Sequence, residues 1–219
     1  MARSYYALPG LEPSPLQSPV NILSDQVEGG KHTIKYGHGD GPEQVENLGT
    51  TVELAFGSGI TTEFDSESYE LMQVHFHTPS EHLIDGITYP MEMHVVHSRP
   101  GPSAGDPPEY LVVSLLFRMG ASNRFIEEFI DAVPTEEGES TAVKEVFVVD
   151  VLGPDLDVEK IDYFHYRGSL TTPPYTESVD WLVVKQIMQA SPAQIQRINL
   201  LEGDNARHVQ PLYNREIED

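Results

Sequence analysis

The chain has 219 residues, 39% hydrophobic and 22% charged, which fits one large folded domain and excludes a disordered chain. With 35 acidic against 13 basic residues, its formal net charge is −22, and such a surface repels nucleic-acid phosphates and anionic membranes, which excludes both as partners. The absence of cysteine excludes disulfides, thiolate metal ligands and a cysteine nucleophile.

Short runs rich in Val, Leu, Phe and Tyr, bounded by turn residues, predict strands along the chain. In order, these runs are Leu71–His77, Met91–His97, Tyr110–Phe117, Val143–Val149 and Val179–Val184. Two helices are predicted, at Ser122–Val133 from its apolar face and at Ser191–Leu200 from its Ser-Pro start. Because strands outnumber helices and do not alternate with them, we predict a mainly β (α+β) single domain.

The domain bounds and the membrane-related patterns can also be predicted from the sequence. Residues 1–16 contain three Pro and one Gly and are predicted to form an irregular arm, with the single domain over residues 17–219. Met1–Gly10 has no apolar signal-peptide core. The longest apolar run, near Leu111–Phe117, is too short to span a bilayer.

Three histidines are spaced as metal ligands. His75 and His77 are two residues apart in a predicted strand, so their side chains point to the same face. His94 lies in the next predicted strand, and it would join them if the two strands pair. Three imidazoles leave a tetrahedral zinc ion with one open position, as in catalytic sites. Copper, iron and nickel also accept imidazole ligands, so the histidines alone do not identify the metal.

Two polar residues are placed to support these ligands. Glu92 precedes His94 by two residues, and Gln73 stands in the same relation to His75. Each can accept the spare ring N–H of its histidine and so fix the tautomer. A His-x-His pair in a strand is nevertheless more often packing or surface histidine, and these motifs do not specify a reaction by themselves.

Five separate motifs follow one another along the chain: Gln17–Ile22 (QSPVNI), Gln73–His82 (QVHFHTPSEH), Tyr89–His97 (YPMEMHVVH), Arg167–Pro174 (RGSLTTPP) and the C-terminal set Asn205, Arg207, Gln210–Leu212 and Arg215. In this order they resemble the motifs of the alpha-class carbonic anhydrases, and the Thr-Pro-Ser-Glu-His form is similar to bacterial members. The resemblance runs from about Gln17 to Arg215 without large gaps.

The resemblance implies a large, twisted, mostly antiparallel sheet with a few peripheral short helices. It also implies the cofactor Zn²⁺ and the reversible hydration of carbon dioxide to bicarbonate and a proton by zinc-bound hydroxide. Thr171 and Glu81 would orient that hydroxide, and Thr172 would orient bicarbonate. The apolar wall for carbon dioxide would comprise Val96, Val112, Leu170, Val179 and Trp181, although core packing explains Val112 and Trp181 equally well. Asn205 joins Glu92 and Gln73 around the ligands, whereas His82, Tyr166 and Ser18 fall at buried hydrogen-bonding positions.

The proton shuttle departs from the family pattern. Thr50 occupies the position of the histidine that carries protons in fast members, and a threonine hydroxyl does not titrate near neutral pH. The shuttle is therefore unknown from the sequence. Glu53 is a candidate by position, although an ordinary glutamate pKa near 4.3 suits the task poorly. His32 and His38 are alternatives.

Two other functions compete with this interpretation. Some carbonic-anhydrase-like domains are binding or structural modules that have lost ligands, whereas here the ligand set is complete. A zinc esterase is the second alternative, but no Gly-x-Ser-x-Gly elbow is present. As partners, the resemblance implies carbon dioxide and bicarbonate, with sulfonamides and small anions as inhibitors. It is compatible with a homodimer, and it favours a soluble protein in the periplasm or outside the cell.

Overall fold

The computed structural model describes residues 14–37, 41–152 and 161–219. Most of the predicted arm over residues 1–16 therefore lies outside the described residues. The strands are β1 Asn21–Ile22, β2 Ile34–Lys35, β3 Gln44–Asn47, β4 Val52–Ala55, β5 Thr61–Phe64, β6 Glu67–His77, β7 Leu83–Ile84, β8 Ile87–Thr88, β9 Met91–Arg99, β10 Glu109–Met119, β11 Ser140–Ala142, β12 Tyr163–Gly168, β13 Val179–Val184 and β14 Met188–Ala190. The α-helices are α1 Arg124–Phe129 and α2 Pro192–Glu202.

One large mixed sheet organises the described part of the chain. Its main path runs β11-β3-β4-β6-β9-β10-β13-β12, with β14 beside β10 and the β2–β5 pair attached to β6. Neighbouring strands are antiparallel except where β10 meets β13 and β14. A small sheet, β1-β7-β8, stands apart. The prediction of a mainly β, mostly antiparallel fold is confirmed.

Four of the five predicted strands are present, within β6, β9, β10 and β13. The prediction of a strand at Val143–Val149 is wrong. Val143 and Val146 are buried, but the two residues between them are exposed, which is a spacing of three and not the alternation of a strand. Glu145 has a positive φ of 59°, which breaks an extended course. A 3₁₀ helix, Val148–Leu152, follows.

Both predicted helices form. α1 begins after Asn123 and continues into a 3₁₀ turn, Ile130–Ala132. α2 begins after Ser191, whose hydroxyl accepts the Gln194 N–H in a capping box with proline in the first turn. Within the described ranges, no helix is both long enough and apolar enough to cross a membrane.

The two faces of the large sheet carry different side chains. One face supplies the larger hydrophobic core, including Val74, Met93, Val113 and Leu182, over which the helices pack. The other face carries a second apolar cluster together with the predicted metal ligands. We call this the histidine face. Side chains alternate between the two faces along each strand, so that one face forms the main hydrophobic core and the other carries the predicted ligands.

Candidate metal centre and active site

The three predicted ligands converge at the β6–β9 pair. His75 and His94 lie directly opposite each other in the antiparallel register, so their side chains share the histidine face. Nε2 of His75 lies 3.1 Å from Nε2 of His77 and 3.2 Å from Nδ1 of His94. His77 and His94 are buried, and His75 is half-buried. The predicted strand pairing therefore brings the three side chains together.

The hydrogen bonds behind the ligands orient the bare nitrogens inward. His75 donates from Nδ1 to Gln73 Oε1 at 2.7 Å, and His94 donates from Nε2 to Glu92 Oε1 at 2.7 Å. A neutral imidazole has one N–H, so Nε2 of His75 and Nδ1 of His94 then present lone pairs to each other. Converging lone pairs repel unless a cation lies between them. The donor set therefore fits a metal ion.

Burial also keeps these histidines in the form that binds metals. Desolvation lowers the pKa of His75 well below its usual value, lowers that of His77 to about 4, and lowers that of His94. Neighbouring imidazoles add to the effect at His75. Since only the unprotonated ring binds a metal, the site is prepared for one at neutral pH.

Glu92 anchors a buried hydrogen-bond network behind the ligands. Its carboxylate accepts the backbone N–H groups of Glu81 and His82, both at 2.8 Å, and contacts His82 Nδ1 at 2.6 Å. The hydroxyl of Ser114 donates to Glu92 at 2.6 Å. With so many donors, this buried carboxylate stays ionised, and its pKa is well below the usual value although burial opposes the charge. Sequence reasoning missed Ser114; a polar residue inside the apolar run of β10 was the available signal.

The network continues to the first motif of the chain. Nε2 of His82 lies 2.7 Å from the hydroxyl of Tyr166, which donates to Ser18 Oγ at 2.9 Å. All three residues are buried. The expected structural role of these side chains agrees with their position, because together they link β9, β12 and the N-terminal segment.

Asn205 lies between His77 and the Thr50 loop. Its side-chain amide donates to the carbonyls of Thr50 at 2.9 Å and Phe76 at 3.1 Å, and its Oδ1 accepts the N–H of Thr78 at 3.1 Å. Nδ1 of His77 makes no hydrogen bond among the described residues. The side chain of Asn205 therefore holds the backbone on both sides of His77.

Glu81 and Thr171 lie beside the histidines. Oε2 of Glu81 is 3.4 Å from Nε2 of His77, and Oε1 accepts the backbone N–H of Arg207 at 2.8 Å. Burial raises the pKa of Glu81, whereas the nearby Thr171 hydroxyl partly lowers it. Oε2 has no hydrogen bond within the described part of the chain that meets ordinary geometry. This oxygen is the one available to a hydroxyl donor at the site.

The predicted apolar wall belongs to a single cluster. Val96, Val112, Val179 and Trp181 are buried on the histidine face, and the half-buried Leu170 packs against them. Trp181 meets the rings of His82 and His94 edge-on, with centroids 4.8 and 4.9 Å apart. It therefore also supports a ligand. Thr172 is exposed.

The candidate proton carriers lie in different places. Glu53 stands opposite His75 in the β4–β6 pair and so shares the histidine face. Burial, and the negative charge of Glu46 across the β3–β4 pair, raise its pKa. His32 instead stacks on Phe64 of the opposite core, with centroids 5.1 Å apart, so it does not lie on the histidine face as a shuttle there would. His38 lies outside the described residues.

A buried carboxyl group underlies the ligand strand. Glu202, at the end of α2, is 5% exposed, and burial raises its pKa to about 8. Oε1 is 3.1 Å from the hydroxyl of Thr78, which is also 3.0 Å from the carbonyl of Gly203. The single hydroxyl hydrogen cannot serve both, and the carbonyl can only accept. A protonated Glu202 satisfies the arrangement by donating to Thr78.

We expect Glu202→Gln to make the protein more resistant to alkaline pH. The folded-state pKa lies above the unfolded value, so the wild-type free energy of unfolding falls as pH rises from about 4.5 to about 8. The amide stays neutral and avoids this loss, on the order of 2–4 kcal/mol. Denaturant unfolding at pH 5 and pH 9 measures it. An equal pH dependence in both proteins would contradict the assignment.

Comparisons with known proteins agree on one family. A family model described as eukaryotic-type carbonic anhydrase matches residues 13–219. The chain is 33% identical to a carbonic anhydrase of Pectobacterium atrosepticum, covering 92% of this chain and 78% of the relative. It is 34% identical to one of Neisseria gonorrhoeae, covering 92% and 76%. Among solved structures, the alpha-carbonic anhydrase from Thermovibrio ammonificans, in complex with the inhibitor sulfanilamide, has a TM-score of 0.84 at 31% identity and covers 94% of this chain and 87% of its own.

Proposed function

Because this chain belongs to the eukaryotic-type, or alpha-class, carbonic anhydrase family, we propose that His75, His77 and His94 hold the zinc ion that this family uses for the reversible hydration of carbon dioxide. The observation that carries the proposal is the convergence of their ring nitrogens at 3.1 and 3.2 Å with lone pairs facing inward. The domain over residues 17–219 is then the catalytic domain.

A zinc ion held by the three histidines would make a nucleophile available at neutral pH, since zinc lowers the pKa of a bound water to about 7, an effect for which carbonic anhydrase is the standard example. Gln73 and Glu92 fix the tautomers of His75 and His94, and the carboxylate of Glu92 makes its ligand more basic. The remaining work of this chain is to orient the oxygen, hold the substrate and release the proton.

Thr171 and Glu81 are proposed to orient the attacking oxygen. An ionised carboxylate only accepts hydrogen bonds, so the Thr171 hydroxyl would donate its hydrogen bond to Glu81. The Thr171 oxygen must then accept a hydrogen bond from the attacking water or hydroxide. This bond directs a lone pair of the attacking oxygen toward carbon dioxide. The backbone N–H of Arg207 holds the carboxylate in place at 2.8 Å. The orienting carboxylate is therefore fixed before substrate arrives.

The apolar cluster beside His94 is proposed to receive carbon dioxide. The substrate carries no net charge, so a wall of Val96, Val112, Leu170, Val179 and Trp181 accepts it without desolvating an ion. Thr172 is proposed to bind the charged product, bicarbonate; its side chain is exposed. A binding module without activity would not need the complete ligand set together with Glu81 and Thr171.

Proton release is proposed to depend on added buffer, because Thr50 replaces the usual shuttle. The half-buried Glu53 lies on the same face as His75 and has a raised pKa, so it is proposed as the internal proton acceptor, although a carboxylate remains less basic than imidazole. We expect stopped-flow hydration assays to give a high kcat/KM that is insensitive to buffer and a kcat that rises with imidazole buffer. A flat kcat at a high rate would contradict the release step; no zinc-dependent hydration would contradict the function.

Further properties come from relatives alone. Structures of related enzymes are in complex with sulfanilamide and acetazolamide, and we propose that sulfonamides and small anions inhibit this chain at its zinc site. The location in the periplasm or outside the cell and the homodimer remain proposals from the family resemblance.

A further inference from the structure

A second cluster of histidines and carboxylates lies on the core side of the large sheet. Nε2 of His32 is 2.6 Å, and Nδ1 of His165 is 3.0 Å, from the same oxygen, Oε2 of Glu218. The other ring nitrogens also face carboxylates. Nδ1 of His32 is 2.6 Å from Asp65, and Nε2 of His165 is 3.0 Å from Asp180.

The cluster lies on the opposite face of the sheet from the candidate catalytic site. In the β12–β13 pair, Tyr166 stands opposite Trp181 on the histidine face, whereas His165 stands opposite Leu182 of the main core. His32 packs against His165, with ring centroids 4.2 Å apart. The two histidine clusters therefore share no residue and do not share a cleft.

Two neutral histidines have too few N–H groups for the hydrogen-bond contacts in this cluster. Four nitrogen–oxygen contacts lie within hydrogen-bond distance, but two neutral imidazoles have only two N–H groups. If Asp65 and Asp180 accept these, both remaining nitrogens present lone pairs to the carboxylate of Glu218. Either two further protons or one divalent cation would balance this arrangement. A carboxylate behind each ring is the usual support of a metal-binding histidine.

The charges around the cluster favour an added cation. Arg167 lies 2.8 Å from Asp180, and Lys185 lies 2.8 Å from Asp219, so each of these bases has its own acid. The carboxylate of Glu218 is left to the histidines. The cluster thus attracts positive charge.

We propose that His32, His165 and Glu218 bind a divalent metal ion, for which zinc is the test ion, at a second site separate from the catalytic one. Two imidazoles and a carboxylate suit zinc as well as copper, nickel and ferrous iron. A cavity of about 190 Å³ adjoins the three side chains and is also lined by Asp162, Lys185 and Asp219. It leaves room for a water molecule as a further ligand.

Only a small adjustment is needed to admit the ion. Zinc bonds of about 2.0–2.1 Å in tetrahedral geometry place donor atoms roughly 3.3 Å apart, whereas the present separations from Glu218 are 2.6 and 3.0 Å. His165 is fixed within β12. His32 is partly exposed and precedes β2 in a segment without regular structure, so its ring is free to shift. The shift away from Glu218 that zinc requires is less than about 1 Å.

Metal binding here would join distant segments. Glu218 pairs with His165 through backbone hydrogen bonds of 2.8 and 2.9 Å, and His32 arrives from the segment before β2. The ligands are therefore close only in the folded chain. An ion that binds the folded state alone raises the melting temperature by mass action.

Zinc titration of metal-free protein tests the proposal. We expect equilibrium dialysis with elemental analysis to show two zinc ions per chain in the wild type and one in His32→Gln. His208→Gln is the matched control, because it removes an exposed histidine outside both clusters, and it should retain two. The second equivalent should raise the melting temperature of the wild type but not of His32→Gln.

The hydration assay separates the two sites. His32→Gln should keep the carbon dioxide hydration activity of the wild type, which also shows that the variant is folded. Glu218→Gln should bind one zinc ion fewer than the wild type, as His32→Gln does. Saturation of the wild type at one zinc would overturn the proposal. So would a second equivalent that all three variants retain, since that would reflect weak binding to the acidic surface.

Discussion

His94→Ala is expected to reduce carbon dioxide hydration to the uncatalysed background and to remove the zinc that hydration requires. The variant leaves two of three imidazoles, and it also leaves Glu92 without the ring that it orients at 2.7 Å. Changes to the residues behind a metal ligand typically cost about 10–100-fold in affinity or activity. Loss of the ligand itself should cost more. Stopped-flow assays with measurement of bound zinc check this expectation.

Two companion variants separate loss of the ligand from loss of the fold. His94→Asn fills more of the buried space than alanine and should be equally inactive while retaining the near-ultraviolet circular dichroism of the wild type. His208→Ala removes an exposed histidine and should remain active. Full hydration by His94→Ala with zinc still bound would show that the catalytic ion lies elsewhere.

Thr171→Ala should keep its zinc and lose roughly 10²-fold in kcat/KM, the usual cost of removing one oriented polar group at a reacting centre. The side chain is buried beside Glu81, so its removal should not expose the metal ligands. Thr171→Ser keeps the hydroxyl and should recover most of the rate. The two variants therefore distinguish hydrogen bonding from packing.

Glu81→Gln tests the direction of the same hydrogen bond. An amide can turn its NH₂ group toward Thr171 and so force the hydroxyl to accept, which reverses the proposed orientation. We expect a lowered kcat/KM with unchanged zinc content. Wild-type kcat/KM in both Thr171→Ala and Glu81→Gln would mean that the attacking oxygen is oriented by other groups.

Local pattern determined several features that the sequence predicts by itself. His75 and His77 share a face because side chains alternate along any strand, and α2 begins at Ser191 because its cap and proline are neighbours in sequence. Four strands and the mainly β fold follow from the same local periodicities. The assignment of an activity needed more than pattern, because it came from resemblance to a family.

Non-local pairing decided the rest, since no short segment encodes what lies beside it in the sheet. The register that sets His75 opposite His94 is such a feature, as is the irregularity between Leu71 and Gln73. Leu71 joins the core while Gln73 reaches a ligand; a regular strand would put both on one face.

Tertiary contacts also set the chemistry of individual groups. Val143–Val149 has the composition of a strand, but Val143 and Val146 pack into the core around a residue with positive φ. Glu202, the last residue of α2, acquires its raised pKa from burial. His32 and His165 are far apart in sequence, and only the folded chain brings them together with Glu218. Burial and charge at such sites depend on neighbours that the folded chain brings together, which is why the sequence predicts the three proposed zinc ligands but not the second cluster.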